Sequence, residues 1–215
     1  MVRARGGPSR AFEFFGLFIL PPLLYLYFFQ GKMPLPLLWG ATYIAWRLLN
    51  RQNGYRFSRL FRYHQKITPE MKRILKRYFL IAPFIFVLAY LLVPEHFLQL
   101  PLKRPILWLA ILILYPLLSV APQGFLYREF FYQRYKKLFG RDRFVLVAGA
   151  VNFGFMHVIF LNRITVLLTL VGGYLLMRTY LKTKSLFYSN FEHALYGLTI
   201  FTSGLGVYFY HGRIH

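Results

Sequence analysis

The chain has 215 residues, of which 57% are hydrophobic and 20% aromatic, with a mean hydropathy of +0.44. That leaves too little charge to cover a soluble domain of this size. Its formal charge of +21, from 27 Lys and Arg against 6 Asp and Glu, falls between long apolar runs; this is the cytoplasmic marking of a membrane protein, not a nucleic-acid surface. The absence of cysteine excludes disulfides and thiolate metal sites.

A membrane span needs roughly 20 apolar residues. In chain order the runs 11–29, 34–49, 78–94, 105–122, 144–161, 164–181 and 186–209 qualify. The expected fold class is therefore all-α, a polytopic transmembrane helix bundle of about seven spans. The basic start of the chain leads into an aromatic run without a small-residue cleavage site, so 11–29 reads as a first span and not as a signal peptide. Pro21 and Pro22 are expected to kink it, and Pro116 and Pro122 to interrupt the fourth span. The stretch 123–138 reads as an extra helix, continuous with the fourth span or following it. Residues 1–104 form an N-terminal set of spans and 105–210 a core bundle, within one membrane domain.

Loop charges orient the chain. Arg3, Arg5 and Arg10 precede the first span, and the loop 50–77 is densely basic. Arg134, Lys136, Lys137, Arg141 and Arg143 follow the fourth, and Lys182 and Lys184 the sixth. The alternate loops hold Lys32, then Lys103 and Arg104, then Arg163, with Arg213 in the tail. Seven crossings with the N-terminus in the cytoplasm and the C-terminus outside fit this alternation. In 50–77, Tyr55, Phe57, Leu60, Phe61 and Tyr63 interleave with arginines; the loop is either an interfacial segment for anionic lipid headgroups or a solvated positive-inside loop. Neither reading needs nucleic acid.

Ionisable or strongly polar groups at membrane depth are functional candidates by default. Here they are Gln123, Arg128, Glu129, Asn152, His157, Glu192 and His193, whereas His64, His96, His211 and His215 lie in loops or near ends. The short turn at Gly140 folds 123–138 against 144–161 as an antiparallel hairpin, which sets Gly124 level with His157. At 1.5 Å per residue both lie roughly 12–17 Å deep, and His193 comes to a similar depth. Two histidines at one depth suit zinc with a carboxylate to complete or activate it, or a pair of hydrogen bonds between helices. Ala150 and Gly154, four residues apart, mark close helix packing.

The stretches Ala121-Pro122-Gln123-Gly124-Phe125-Leu126-Tyr127-Arg128, Phe153-Gly154-Phe155-Met156-His157 and Glu192-His193-Ala194-Leu195-Tyr196-Gly197 resemble the CPBP family. These are the CAAX-protease and bacteriocin-processing (Rce1-like) intramembrane proteins, with the pattern Glu-Glu-x-x-x-Arg, Phe-x-x-x-His and His-x-x-x-Asn. The likeness runs from about 105 to 210 and is greatest to a bacterial subgroup, which implies a bacterial cell membrane. It implies an intramembrane endopeptidase acting on a membrane-associated peptide or protein. In that role a glutamate activates water, and His157 and His193 position the water or a Zn2+ ion. It also gives Arg128 as the motif arginine. The paired glutamates align with Gln123 and Gly124, and the asparagine with Gly197; the resemblance to the bacterial subgroup implies that Gln123 and Gly197 are ordinary there, so the critical departure is glycine for glutamate at 124. Glu129 and Glu192 are the carboxylates that could substitute. Glu129 lies about 140° round an ideal helix from Gly124, and it also suits a pair with Arg128, Arg134 or Lys137. Arg128 could itself snorkel towards headgroups. Glu192 points about 100° away from His193, a place for tuning. An inactive relative that binds a peptide or lipid is the alternative function.

Overall fold

The structure is a computed structural model that describes residues 7–29, 34–51 and 69–209. Among them the regular elements are all helical. Helix α1 runs from Gly7–Phe14 through a wide π turn at Phe15–Ile19 into Leu20–Phe28. Then come α2 (Leu35–Asn50), α3 (Pro69–Leu92), α4 (Pro105–Phe139), α5 (Asp142–Met156), α6 (Arg163–Thr183) and α7 (Leu186–Ser203). Arg3, Arg5, Lys32, His64, His211, Arg213, His215 and the middle of the 50–77 loop lie outside the described residues. With them lies the headgroup reading of that loop.

Among the described residues five helices are long and apolar enough to cross a membrane: Arg10–Phe28, Pro69–Leu92, Pro105–Phe139, Asp142–Phe160 and Arg163–Thr183. This is an integral membrane helix bundle. The two remaining expected spans differ for physical reasons. Helix α2 has 16 residues. Helix α7 is the inner helix of the bundle, with Ser189, Glu192, His193, Thr199 and Ser203 all buried against neighbours. A helix shielded from lipid needs no apolar perimeter. The outer faces of the other helices are apolar, as at Phe79, Leu80, Ile106, Leu167 and Val171, all exposed.

Three boundaries correct the sequence reading. Helix α3 begins at Pro69 and not near 78, so Lys72, Arg73, Lys76 and Arg77 ride on its first turns. Helix α4 is not interrupted at Pro116 or Pro122: it is one helix of 35 residues. At 1.5 Å per residue that is roughly 52 Å, well beyond the ~30 Å hydrocarbon core. It absorbs its prolines by widening into π turns at Pro116–Val120 and Phe125–Phe130. A proline removes a donor and crowds the carbonyl four residues earlier. For Pro122 that carbonyl is Leu118, and it accepts from the Trp39 indole of α2 at 3.0 Å. In α1, the π turn at Phe15–Ile19 likewise precedes Pro21 and Pro22.

Successive long helices alternate in direction. Arg134 near the end of α4 grips Glu13 of α1 through two bonds of 2.7 and 2.6 Å, and Tyr135 adds a third at 3.0 Å. Lys184 after α6 lies 3.9 Å from Asp142 at the start of α5. The basic segments therefore gather at one end of the bundle. At the other end the Leu98 amide donates to the Ser203 carbonyl, and the Thr165 hydroxyl to the Tyr208 carbonyl. Beside the Glu13–Arg134 pair, Phe14 and Phe18 meet Phe131 and Tyr135 edge to face, as Phe130 meets Tyr135, a packing worth about 0.5–1.5 kcal/mol per pair beyond area.

Helices α5 and α6 pack as the small residues foretell. A Cβ at Gly173 would sit 3.0 Å from the Phe153 Cβ and 3.1 Å from the Ala150 carbonyl. A Cβ at Gly154 would sit 2.5 Å from Leu170 Cγ and 3.3 Å from the Leu170 backbone. Close approach fixes Phe153, one residue away, which the site uses. Gly154→Val should lower stability by about 1–3 kcal/mol through overpacking, read as an earlier unfolding midpoint in detergent. An unchanged midpoint would show that the two helices are not held this close.

Candidate functional site

Arg128 does not snorkel. It is 1% exposed, turned inward from the π turn Phe125–Phe130 of α4. Its Nη2 donates to Asn190 Oδ1 at 3.3 Å and to His193 Nδ1 at 3.1 Å, both on α7. The guanidinium also lies 5.4 Å from the centre of the Phe153 ring of α5, a cation–π contact. Its Nε and Nη1 are buried with no hydrogen-bond partner among the described residues. A buried arginine is ordinarily paired with an anion; here its hydrogen bonds to described residues go to the neutral Asn190 and His193.

Those bonds fix the protonation of His193. A guanidinium can only donate, so Nδ1 is the accepting nitrogen and Nε2 carries the proton. That Nε2–H then faces the Tyr115 hydroxyl of α4 at 3.4 Å. His157 is set the other way round. Its Nδ1–H donates to the Phe153 carbonyl at 2.7 Å, which leaves Nε2 with the lone pair. Both imidazoles pack on Phe153, with ring centres 4.7 and 5.4 Å away. The three segments thus converge at Phe153.

The positions of the departed motif residues are filled from other helices. A Cβ built on Gly124 would land on the Asn190 side chain, 2.6 Å from its Cγ. A Cβ on Gly197 would land on the Tyr115 ring, 2.5 Å from Cζ. Asn190 and Tyr115 therefore occupy the room of two missing side chains, and each bonds to the Arg128–His193 pair. Neither stood out in the sequence. Asn190, three residues before His193 on the same helical face, was the available signal; Tyr115, just before Pro116, offered none.

The remaining carboxylates are engaged elsewhere. Glu129 is buried and does not hold Arg134, which goes to Glu13. Its oxygens accept from Tyr180 at 2.6 Å and Gln133 at 3.2 Å. Burial, not an interfacial setting, makes the tyrosine its partner. Glu192 is 0% exposed and accepts from Thr179 at 2.6 Å and Tyr196 at 3.0 Å, with Arg77 at 2.7 Å. It faces α3 and α6, while its neighbour His193 faces α4 and α5. Gln123 donates to Ser119 at 2.7 Å, and its Oε1 is buried without a partner among the described residues. Asn152 is buried with neither amide atom bonded among the described residues.

This donor set does not fit zinc. A catalytic zinc takes three protein ligands with accepting lone pairs. His157 offers one at Nε2. His193 offers none, since Arg128 holds Nδ1 and Nε2 bears the proton. Among the described residues the hydrogen bonds of both histidines go to Arg128, Tyr115 and the Phe153 carbonyl, none to a carboxylate. No group of three His, Cys, Asp or Glu able to hold a metal is present among the described residues. A guanidinium beside the imidazole would further repel a cation.

Compared with known proteins, residues 103–199 match the family model of the Rce1-like type II CAAX prenyl endopeptidases. No curated protein and no solved structure matches the chain. The matched segment is just under half the chain and runs through α4 to α7. It supplies Tyr115, Gly124, Arg128, Glu129, His157, Asn190, Glu192 and His193. Over that segment the chain is similar to the Rce1-like type II CAAX prenyl endopeptidases.

Proposed function

We propose that this chain is a catalytically silent member of the intramembrane-protease family, an integral membrane protein that binds a membrane-associated peptide or lipid without cleaving it. One observation carries the reading: the place of the water-activating carboxylate at Gly124 is taken by the Asn190 carboxamide, which accepts from Arg128. An amide cannot take a proton from water near neutral pH, so the general base is missing. His157 keeps a free lone pair, but an imidazole without an orienting carboxylate is a poor substitute. The binding role is supported by polar atoms buried without partners among the described residues: Nε and Nη1 of Arg128 and the amide of Asn152. These are groups a guest's carboxylate or carbonyl would satisfy. The setting in this reading is a bacterial cell membrane, with the basic end of the bundle in the cytoplasm, the N-terminus inside and the C-terminus outside.

The unpaired guanidinium makes a stability prediction. A glutamate at 124 stands one turn before Arg128, within reach of it, but Asn190 is in the way. Gly124→Glu alone should lower the unfolding midpoint. Asn190→Ala alone should cost about 1.5–3 kcal/mol, the worth of a hydrogen bond to a charged group. The double variant should be more stable than the sum of the two predicts, with a coupling of about 0.5–3 kcal/mol. Additive losses would show that the two side chains do not share one space.

Proteolysis tests the function itself. In liposomes with fluorogenic prenylated and unprenylated peptides, the parent chain should cleave no faster than protein-free vesicles. The Gly124→Glu/Asn190→Ala form should cleave measurably, and adding His157→Ala should abolish that gain. The retained Arg128, His157 and His193 favour a second reading, an active peptidase with a relaxed mechanism. Hydrolysis by the parent that His157→Ala removes would establish it and overturn ours.

A further inference from the structure

At the basic end of the bundle, α3 and α6 enclose a cavity of about 60 Å³ lined by Glu70, Arg73, Arg77, Arg178, Thr179 and Lys182. One ordered water needs ~10–15 Å³ of such volume, so a larger polar group has room. The lining carries four cations and one carboxylate. Glu70 is shared between Arg73 at 2.9 Å and Lys182 at 2.7 Å. Arg77 is directed inward to Glu192 and to Thr179 at 2.9 Å, and its Nε is buried without a partner. Arg178 is exposed and makes no ion pair or hydrogen bond among the described residues. Counting Glu192 as well as Glu70, the cluster keeps an excess of positive charge over a concave site, the electrostatic form of an anion receptor.

We propose that this cavity binds the phosphate of an anionic phospholipid headgroup. Arginine forks match phosphate oxygens geometrically, with Lys182 as a point charge beside them. Basic pockets between membrane helices are where such headgroups sit. The lipid source follows from what adjoins the cavity. Deeper along the same two helices, Phe79 and Leu80 of α3 and Val171 and Tyr174 of α6 are exposed, an apolar strip for the acyl chains. A free phosphate would leave that strip unused. Arg73, Arg178 and Lys182 are the residues able to turn to the headgroup, since Arg77 is held by Glu192. The site is independent of the histidine cluster and of whether the chain cleaves peptides.

The test uses the full chain in neutral detergent, with fluorescent phosphatidylglycerol as probe and phosphatidylcholine as the neutral comparison. Phosphatidylglycerol should bind saturably, and Arg73→Gln and Arg178→Gln should each weaken it about five-fold, the effect of one basic residue at a lipid surface. Both side chains are exposed, so the unfolding midpoint should stay unchanged and report an intact fold. Arg141→Gln/Arg143→Gln, which removes two cations from the same end outside the cavity, should leave binding as it was. Equal weakening by that pair, or equal binding of phosphatidylcholine, overturns the proposal. Inorganic phosphate should fail to displace the lipid at matched concentration; displacement would overturn the lipid source.

Discussion

The guanidinium of Arg128 is the group around which the inner half of this bundle is organised. Removing such a charge from water costs several kcal/mol even after the surroundings relax. Here the cost is met by dispersed neutral contacts: two hydrogen bonds from one nitrogen and the face of an aromatic ring. Those contacts come from two other helices, α7 and α5. Sliding α4 against either would strand a charge, so the relative register of three helices follows from one side chain. The π turn at Phe125–Phe130 belongs to the same constraint, because it carries Arg128 and Glu129 in adjacent positions yet buries both. Wide turns of this kind recur at functional sites.

Two further polar layers flank that centre and keep the carboxylates away from it. Glu192 is clasped by Arg77, Thr179 and Tyr196, which joins α3, α6 and α7. Glu129 is held by Tyr180 and Gln133, which joins α4 to α6. Each bond satisfies a group that would be costly to leave unpaired. The chemical consequence is separation. The bundle contains buried carboxylates and buried imidazoles, but the carboxylates are committed to donors on faces the imidazoles do not share. A hydrolytic site needs base, orienter and substrate atom in one reach; here Glu129 and Glu192 accept from Tyr180, Gln133, Thr179 and Tyr196 and not from His157 or His193.

Much of this was legible in the sequence, and the illegible part has a common cause. Helix number and alternation follow from apolar length and from where Lys and Arg fall. The level of Gly124 against His193 follows from counting residues back from Gly140 and from the Lys182–Lys184 loop, because rise per residue is fixed. The start of α3 was obscured by Arg73 and Arg77, whose charges read as loop although Glu70 and Glu192 neutralise them on helices. The continuity of α4 was obscured by Pro116 and Pro122, since a one-dimensional rule cannot show that Trp39 of another helix takes up the freed Leu118 carbonyl. Asn190 and Tyr115 stayed hidden for the deeper reason. Spacing gives depth and face, but not which distant side chain moves into a vacated volume.

That last point bears on what the glycines mean. A chain that had merely lost the motif glutamate at 124 and the motif asparagine at 197 would keep a cavity at each position. Empty volume in a packed interior is destabilising in proportion to its size, so such a chain would be under pressure to refill both. Both are refilled, by a carboxamide and a phenol that also bond to the arginine–histidine pair. His193 is thereby locked in the tautomer that gives its lone pair to Arg128, which removes it from ligand or base duty. The substitutions at 124 and 197 and the placements of Asn190 and Tyr115 form one packing solution, and reversing any single member meets an occupied space. The core is therefore one packed arrangement in which side chains from other helices fill the space beside positions 124 and 197.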